Sequence, residues 1–267
     1  HHDAGAALVK DGRLIAASDE ERFTRIKHWG NGFPQFSVKF VLEQAGISLN
    51  EVDYIAMPSK YGFARMAATA VNNVGRPSYI LELLKMLINK QAGTKSVLEE
   101  ARKFIKNKKI IGVEHHKAHA ASAFYTSGFK SATAITLDGI GNGLSGSVNY
   151  ANNYGIRRLK NIYETGSMGH YYEALTDGLG FSIYNDEYKV MGLAAYGTDR
   201  LVPFFDQLYT LTSDGLFRLN RDKLLFCKGI RPEWDEQITS VFGQPRRKEE
   251  PITQVHKDIA YALQASA

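Results

Sequence analysis

Two histidines four positions apart, His115 and His119, have the clearest potential for chemistry in this sequence. On a helix, residues four apart lie on one face, so the two imidazoles could bind one metal ion. Asp138 follows the apolar run 132–137 and precedes several glycines, which makes it the best candidate for a third ligand. An isolated HxxxH pair is also common in helices that bind nothing. The stretch is therefore consistent with a metal site of His115, His119 and Asp138, and equally with histidines that only line a helix.

A second chemical pattern is a set of glycines and one lysine. Gly139, Gly141 and Gly143 follow the aspartate, and glycines let backbone amides approach a phosphate group, although a plain hairpin turn explains them as well. Lys189 and Gly192 lie in an otherwise apolar segment. A lysine buried there requires an anionic partner, and a nucleotide phosphate would serve. These residues are candidates for phosphate binding.

A charged connection, residues 19–28, contains three basic side chains: Arg22, Arg25 and Lys27. Arginine and lysine bind phosphate well, but charged loops are commonly just solvated. Two interpretations of this connection therefore stay open: an anion-binding site and a solvated loop.

The hydrophobic pattern predicts an α/β fold that positions these residues. The predicted strands are 4–10, 13–18, 53–57, 109–113, 132–137, 145–149, 157–163 and 216–219. One predicted helix begins after Glu114, and three others span 36–45, 167–179 and 201–209. Asp11-Gly12 predicts a hairpin, Ser167 a helix N-cap, and Gly46 and Gly180 helix ends. Residues 60–108 are read as helical and irregular, and within them the stretch 80–88 is apolar nearly all round, which predicts a helical insertion or cover. Strand 132–137 is expected to be buried, with Asp138 at its end.

Composition limits the class of protein. With 267 residues the chain is long enough for about two domains. The net charge of +5, from 33 basic and 28 acidic residues, does not indicate nucleic-acid binding. Cys227 is the single cysteine, which excludes an intrachain disulfide and fits a reducing compartment, and no apolar run approaches about 18 residues. We expect a cytoplasmic protein without a membrane segment, and a piece of a longer polypeptide, because the sequence opens in a strand and stops in a helix.

Five segments in order resemble the ATP-dependent O-carbamoyltransferases of nodulation and antibiotic-tailoring pathways. They are His2 to Val9, Glu20 to His28, His115 to Ala123, Asp138 to Gly141, and Glu187 to Ala194. Together these motifs are far more specific than any one of them. Weaker similarity, mainly the HxxxH pair, extends to the metal-dependent enzymes that carbamoylate adenosine in tRNA.

The resemblance implies an actin-like ATPase domain, ribonuclease H-like, that is incomplete at both ends. Residues 1–130 would form its first subdomain with the helical insertion at about 60–108, and residues 131–267 would continue into the second subdomain. The domain that takes carbamoyl phosphate, and a fourth metal ligand, would lie outside this chain. The fragment alone is expected to be inactive.

The resemblance also implies the reaction. Carbamoyl phosphate is broken down to carbamate, carbamate attacks the α-phosphate of ATP to give carbamoyl-adenylate and pyrophosphate, and the carbamoyl group passes to a hydroxyl of a small-molecule acceptor. The expected partners are therefore ATP with Mg²⁺, carbamoyl phosphate and that acceptor, and neither a nucleic acid nor a membrane.

Residue by residue, the resemblance assigns roles to five positions, and four more are hypotheses that follow from the proposed chemistry. His115, His119 and Asp138 match metal ligands, and a His-His-carboxylate set best suits Fe²⁺, with Zn²⁺ or Mn²⁺ as alternatives. His2 and Lys27 match the carbamoyl-transfer centre, where lysine would stabilise negative charge and histidine would accept the hydroxyl proton. The nucleotide phosphates would contact Gly139, Gly141, Lys189 and Gly192. One departure is Asp186, which stands where the family usually has glycine.

Three alternatives stay open. The same fold supports a tRNA-modifying carbamoyl-adenosine synthase or a sugar kinase, although the HxxxH pair disfavours a kinase. A non-catalytic subunit that binds metal or nucleotide is the second alternative. A zinc hydrolase is the third, but its usual helix has glutamate directly after the first histidine, where this sequence has His116.

Overall fold

The computed structural model describes residues 3–28, 32–58, 105, 108–163, 166–220, 234 and 236–267. These residues form a mixed α/β protein with small sheets, and they fall into two compact units. The first contains the described residues up to Met57 with 105 and 108–113, and the second contains Pro58 and the described residues from Glu114 onward. Most of the predicted insertion at 60–108 lies outside the described residues, and so does His2. The predicted subdomain boundary at residue 130 stays a prediction.

The first unit begins with a hairpin. Its elements are β1 (Gly5–Lys10), β2 (Arg13–Asp19), α1 (Glu21–Thr24), α2 (Gln35–Ala45), a 3₁₀ turn (Leu49–Glu51), β3 (Tyr54–Pro58) and β4 (Lys109–Val113). β1 and β2 pair antiparallel, and β3 pairs with β4. Asp11 and Gly12 have φ of 51° and 76°, as a type I′ turn requires, and Gly46 ends α2 with φ of 64°. The predicted hairpin, helix and strands of this unit are confirmed.

A buried glutamate connects α2 to the hairpin. The carboxylate of Glu20 accepts hydrogen bonds from the backbone N–H of Phe36 at 3.1 Å and of Ser37 at 2.8 Å, and from the Ser37 hydroxyl at 2.8 Å. A carboxylate is favourable at a helix N-terminus because the first N–H groups have no partner within the helix. Glu20 therefore fixes the start of α2 beside the end of β2.

The second unit combines a three-stranded sheet with packed helices. Its elements are α3 (His115–Ser127), β5 (Ser131–Gly141), β6 (Leu144–Asn152), β7 (Gly155–Tyr163), α4 (Met168–Gly178), α5 (Glu187–Ala194), a 3₁₀ turn (Asp199–Leu201), α6 (Val202–Phe205), β8 (Tyr209–Leu211), β9 (Phe217–Leu219), α7 (Glu236–Phe242) and α8 (Gln254–Ser266). β5, β6 and β7 form an antiparallel sheet. The predicted Ser167 N-cap accepts from the His170 N–H, and Gly180 has φ of 73°, so both predicted ends of α4 are confirmed.

Two predictions for this unit were wrong. β5 is not fully buried, because Ile135 and Leu137 on one face are 64% and 50% exposed, and the strand continues through Asp138 to Gly141. The predicted helix 201–209 is a single turn, Val202–Phe205, because Tyr209 instead pairs with Leu219 in a short hairpin.

The apolar core of the second unit lies among its helices. Its largest fully buried members are Tyr171, Leu175, Leu179, Phe205, Leu208, Ile238, Ile259 and Leu263. Helix α8 packs against α5 and α6 through this cluster. Within the residues that the structure describes, no helix is long and apolar enough to cross a membrane.

A buried arginine completes this core. Arg246, predicted as part of a polar connection, is only 7% exposed and donates to the carbonyls of Leu179 at 2.6 Å and Glu250 at 2.6 Å. Its guanidinium also lies 5.1 Å from the ring centre of Phe181. Positive charge is favourable at the C-terminus of a helix, where carbonyls lack partners, so Arg246 caps the end of α4.

We predict that Arg246→Ala lowers the free energy of unfolding by about 3 kcal/mol, because it removes the donor of the buried Leu179 carbonyl and of the partly buried Glu250 carbonyl. Urea denaturation measures the change. The matched control is Arg247→Ala, whose side chain is 89% exposed, and it should change stability by no more than about 0.5 kcal/mol. Equal effects of the two substitutions would contradict the capping role of Arg246.

Candidate metal centre

The three predicted metal ligands meet at one place in the second unit. His115 Nε2 lies 2.5 Å from Asp138 Oδ2, His119 Nε2 lies 3.0 Å from His115 Nε2, and His119 Nε2 lies 3.7 Å from Asp138 Oδ2. One donor atom from each residue thus lies within 4.8 Å of the others. All three side chains are partly exposed, so an ion from solvent has access to them. The chemistry of this donor set fits a divalent transition metal.

Helix α3 presents both histidines from its first two turns. Its N-cap, Glu114, accepts from the N–H groups of His116 at 3.2 Å and Lys117 at 2.9 Å. Asn142, in the β5–β6 turn, accepts from the His115 N–H at 3.2 Å. The first N–H groups of the helix are therefore satisfied by side chains, which fixes where the helix starts relative to β5.

Two glycines leave room for the ligands and for α4. A Cβ atom on Gly141 would lie 1.9 Å from Cδ2 of His115, so this imidazole occupies the space above the glycine. A Cβ on Gly169 would lie 2.6 Å from the Cα of Gly139, where α4 meets β5. The turn itself is at Asn142 and Gly143, with φ of 55° and 80°. Packing of the His115 ring against the backbone explains why residue 141 is glycine. The predicted contact of Gly139 and Gly141 with phosphate stays a prediction.

Charge pairing stabilises the ionised form of the carboxylate in the cluster. The hydrogen bonds from His115 and His119 hold the pKa of Asp138 far below its usual range, helped by the Gly139 N–H at 2.7 Å. In return, the hydrogen bond to Asp138 raises the pKa of His119. An anionic aspartate beside two imidazoles is the state that favours binding of a cation, which would replace the histidine proton.

Lys27 belongs to the first unit and is exposed. It precedes His28, whose Nδ1 lies 2.7 Å from Oδ1 of Asp3 and whose N–H donates to Glu21 at 2.9 Å. Asp3, Glu21 and His28 form a second His-carboxylate group within 4.8 Å. The catalytic role of Lys27 stays a prediction, and that of His2 falls outside the described residues.

The premise for Lys189 was wrong. Its side chain is 45% exposed, and Nζ lies 2.6 Å from Oδ1 of Asp186, so it is not a buried lysine that requires a phosphate. The side-chain hydrogen bond to Asp186 raises the pKa of Lys189. Asp186 itself has an ordinary φ of −124°, which any residue adopts, and a Cβ on Gly192 would meet nothing within 4 Å. Phosphate contacts of Lys189 and Gly192 stay predictions.

Sequence reasoning missed the residues that hold the ligands in place. Glu114 and Asn142 cap α3, and Arg158 binds Glu114, with Nη2 2.6 Å from Oε2. An acidic residue directly before a helix is a recognisable capping signal, and Asn-Gly is a recognisable turn. Arg158 lies 44 positions from Glu114 and has no local signal.

Comparison with known proteins identifies the family of the chain. Residues 1–266 match the family model described as carbamoyltransferase N-terminus. An uncharacterised protein of Synechocystis sp. is 38% identical over 276 residues, covering 99% of this chain and 44% of its own length. Nodulation protein NolNO of Sinorhizobium fredii is 34% identical over 270 residues, covering 98% of this chain and 36% of its own.

A third relative, nodulation protein NolO of Bradyrhizobium diazoefficiens, is 38% identical over 153 residues, covering 57% of this chain and 26% of its own length. The chain thus spans less than half the length of these relatives. The family match covers nearly the whole chain, and the resemblance stated from the sequence is confirmed. The chain belongs to the carbamoyltransferase N-terminus family.

Proposed function

We propose that this chain is the metal- and ATP-binding part of an O-carbamoyltransferase with an actin-like ATPase fold. The observation that supports it best is the meeting of His115, His119 and Asp138, with one donor atom of each within 4.8 Å of the others, in a chain of this family. The whole enzyme would form carbamoyl-adenylate from ATP and carbamate derived from carbamoyl phosphate. It would then transfer the carbamoyl group to a hydroxyl of a small molecule.

His115, His119 and Asp138 would hold the metal ion. Two imidazoles and one carboxylate leave coordination positions open, which suits Fe²⁺ best and also permits Zn²⁺ or Mn²⁺. When bound, the ion would contact phosphate oxygens of the nucleotide and neutralise charge at the α-phosphorus.

The remaining roles belong to residues of the chain itself. Lys27 would stabilise the negative charge that develops during carbamoyl transfer, and His2 would accept the proton of the acceptor hydroxyl. Backbone N–H groups at Gly139 and Gly141 would donate to the phosphates, with Lys189 and Gly192 in the same cleft. The Lys189 ammonium is partly exposed and pairs with Asp186, so it would donate to a phosphate only after leaving this ion pair.

Loss of a residue that only orients a metal ligand weakens metal affinity about 10- to 100-fold. We predict a larger loss of affinity for His119→Ala, because this substitution removes a ligand itself. Anaerobic calorimetric titration of the metal-free, full-length protein with Fe²⁺ measures the affinity. His256→Gln is the matched control: His256 caps α8 with Thr253, and glutamine serves equally well at that capping position. Unchanged affinity in His119→Ala would remove this residue from the ligand set.

Pyrophosphate–ATP exchange tests the proposed reaction directly. The full-length protein should exchange labelled pyrophosphate into ATP when carbamoyl phosphate is present, and should not do so without it. His119→Ala should lose the exchange while remaining folded by circular dichroism. A folded, metal-loaded wild-type protein that shows no exchange would contradict carbamoyl-adenylate formation.

The contact of Lys189 with the nucleotide gives a separate prediction. Lys189→Ala should weaken ATP binding about tenfold, the loss expected for one charge-assisted hydrogen bond. Lys39→Ala is the control, because Lys39 is also exposed and pairs locally, with Nζ 3.7 Å from Oε1 of Glu43. ATP binding by Lys189→Ala as tight as that of wild type, measured by calorimetry, would exclude the contact.

A further inference from the structure

A fully buried histidine follows the first metal ligand in the chain. His116 has no exposed surface, whereas His115 and His119 on the same helix are partly exposed. Its Nε2 lies 3.0 Å from the carbonyl oxygen of Leu144, and its Nδ1 lies 2.9 Å from Oγ1 of Thr136. Both ring nitrogens are bonded to the sheet beneath the helix.

The hydrogen bonds continue across the sheet through small polar side chains. Thr136 Oγ1 lies 2.7 Å from Oγ of Ser147, and Asn149 Nδ2 donates to Ser147 Oγ at 2.9 Å. Asn149 Nδ2 also donates to the carbonyl of Ala134 at 3.0 Å. Thr136, Ser147 and Asn149 are all buried, so each lost partner would leave a polar atom without water.

The network then returns to the helix where it began. Arg158 Nε donates to Asn149 Oδ1 at 2.7 Å, and Arg158 Nη2 donates to Glu114 Oε2 at 2.6 Å. Glu114 Oε1 accepts from the backbone N–H of His116. We name this closed ring of six residues the anchor loop: Glu114, His116, Thr136, Ser147, Asn149 and Arg158.

The chemistry of the side chains fixes the direction of most hydrogen bonds in the anchor loop. A carbonyl only accepts, so the Nε2 of His116 donates to Leu144. Ser147 Oγ accepts from Nδ2 of Asn149, and the hydroxyls of Thr136 and Ser147 share one further hydrogen bond. At the far end, the arginine only donates and the carboxylate only accepts. Reversing the contact of His116 with Leu144, or those of Asn149, would leave a buried donor or acceptor unsatisfied.

We propose that the anchor loop sets the rotation of α3 on the sheet, and that His116 and Thr136 are positioning residues for the metal centre. Successive residues of a helix are about 100° apart around its axis, so bonding His116 to the sheet fixes the direction in which His115 and His119 leave the helix. Capping alone fixes where the helix starts, whereas the two bonds of His116 also fix its rotation. This inference rests on the metal centre proposed above.

Thr136→Val tests the inference, because it removes the hydroxyl and keeps the shape of the side chain. In the full-length protein we expect Co²⁺ to bind about 10- to 100-fold more weakly, the range for partners that orient a ligand, with a changed visible absorption spectrum of the bound ion. Thr136→Ser retains the hydroxyl and should restore both the affinity and the spectrum. Thr133→Val, on the same strand but exposed, should match wild type.

The outcomes separate this inference from the proposed function. If wild type binds no Co²⁺ and no Fe²⁺, the proposed metal centre itself is wrong. If wild type binds Co²⁺ and a folded Thr136→Val protein binds it equally well, with the same spectrum, the positioning role is wrong. If the Thr136→Val protein does not fold, Ser147→Ala takes its place in the experiment. This small substitution breaks the anchor loop at the next side chain, one hydrogen bond further from His116. Unchanged Co²⁺ affinity in folded Ser147→Ala would then overturn the proposal.

Discussion

The candidate metal centre depends on the hydrogen bonds and ion pair of one carboxylate, Glu114. It caps the first N–H groups of α3 and pairs with Arg158 of β7. Burial raises the pKa of Glu114, but the opposing charge of Arg158 and the backbone hydrogen bonds lower it further, so the net pKa lies below its usual value. Its contribution to stability is therefore present at neutral pH and is lost as the pH falls through the lowered value. One ionised side chain thus joins the ligand helix to the far strand of the sheet.

Polar and apolar interactions have different tasks in the second unit. Helices α4 to α8 pack through large apolar side chains, which supply most of the hydrophobic stabilisation but tolerate small rotations. Beneath α3 the sheet instead presents Thr136, Ser147 and Asn149. Their hydrogen bonds add little net stability, since each replaces a bond to water, but they penalise any other arrangement. A site that must hold three donor atoms in fixed directions gains more from these hydrogen bonds than from apolar packing.

The sequence predicted the parts that local patterns determine. Spacing predicted His115 and His119 on one helix face, and Asp-Gly predicted the first hairpin, because these signals act over a few residues. The sequence did not predict contacts between residues that are far apart in the chain, nor which side chains are exposed. Arg158, for example, contacts Glu114 from 44 positions away. Lys189 was taken as buried because its neighbours are apolar, yet the helix turns it toward Asp186, three residues earlier. Periodicity gives the face of a helix, but it does not say which other element covers that face.

The two units fix their predicted functional residues in a similar way. In the second unit, His116 is bonded to the sheet and the neighbouring His115 is a ligand candidate. In the first, His28 is bonded to Asp3 and Glu21, and the neighbouring Lys27 is the transfer candidate. Asp3 and His28 both have φ near 60°, a strained conformation for these residues that persists only where surrounding contacts determine it. Because consecutive side chains point in different directions, an anchored residue can hold the backbone without occupying the site, so its neighbour stays exposed to ligands.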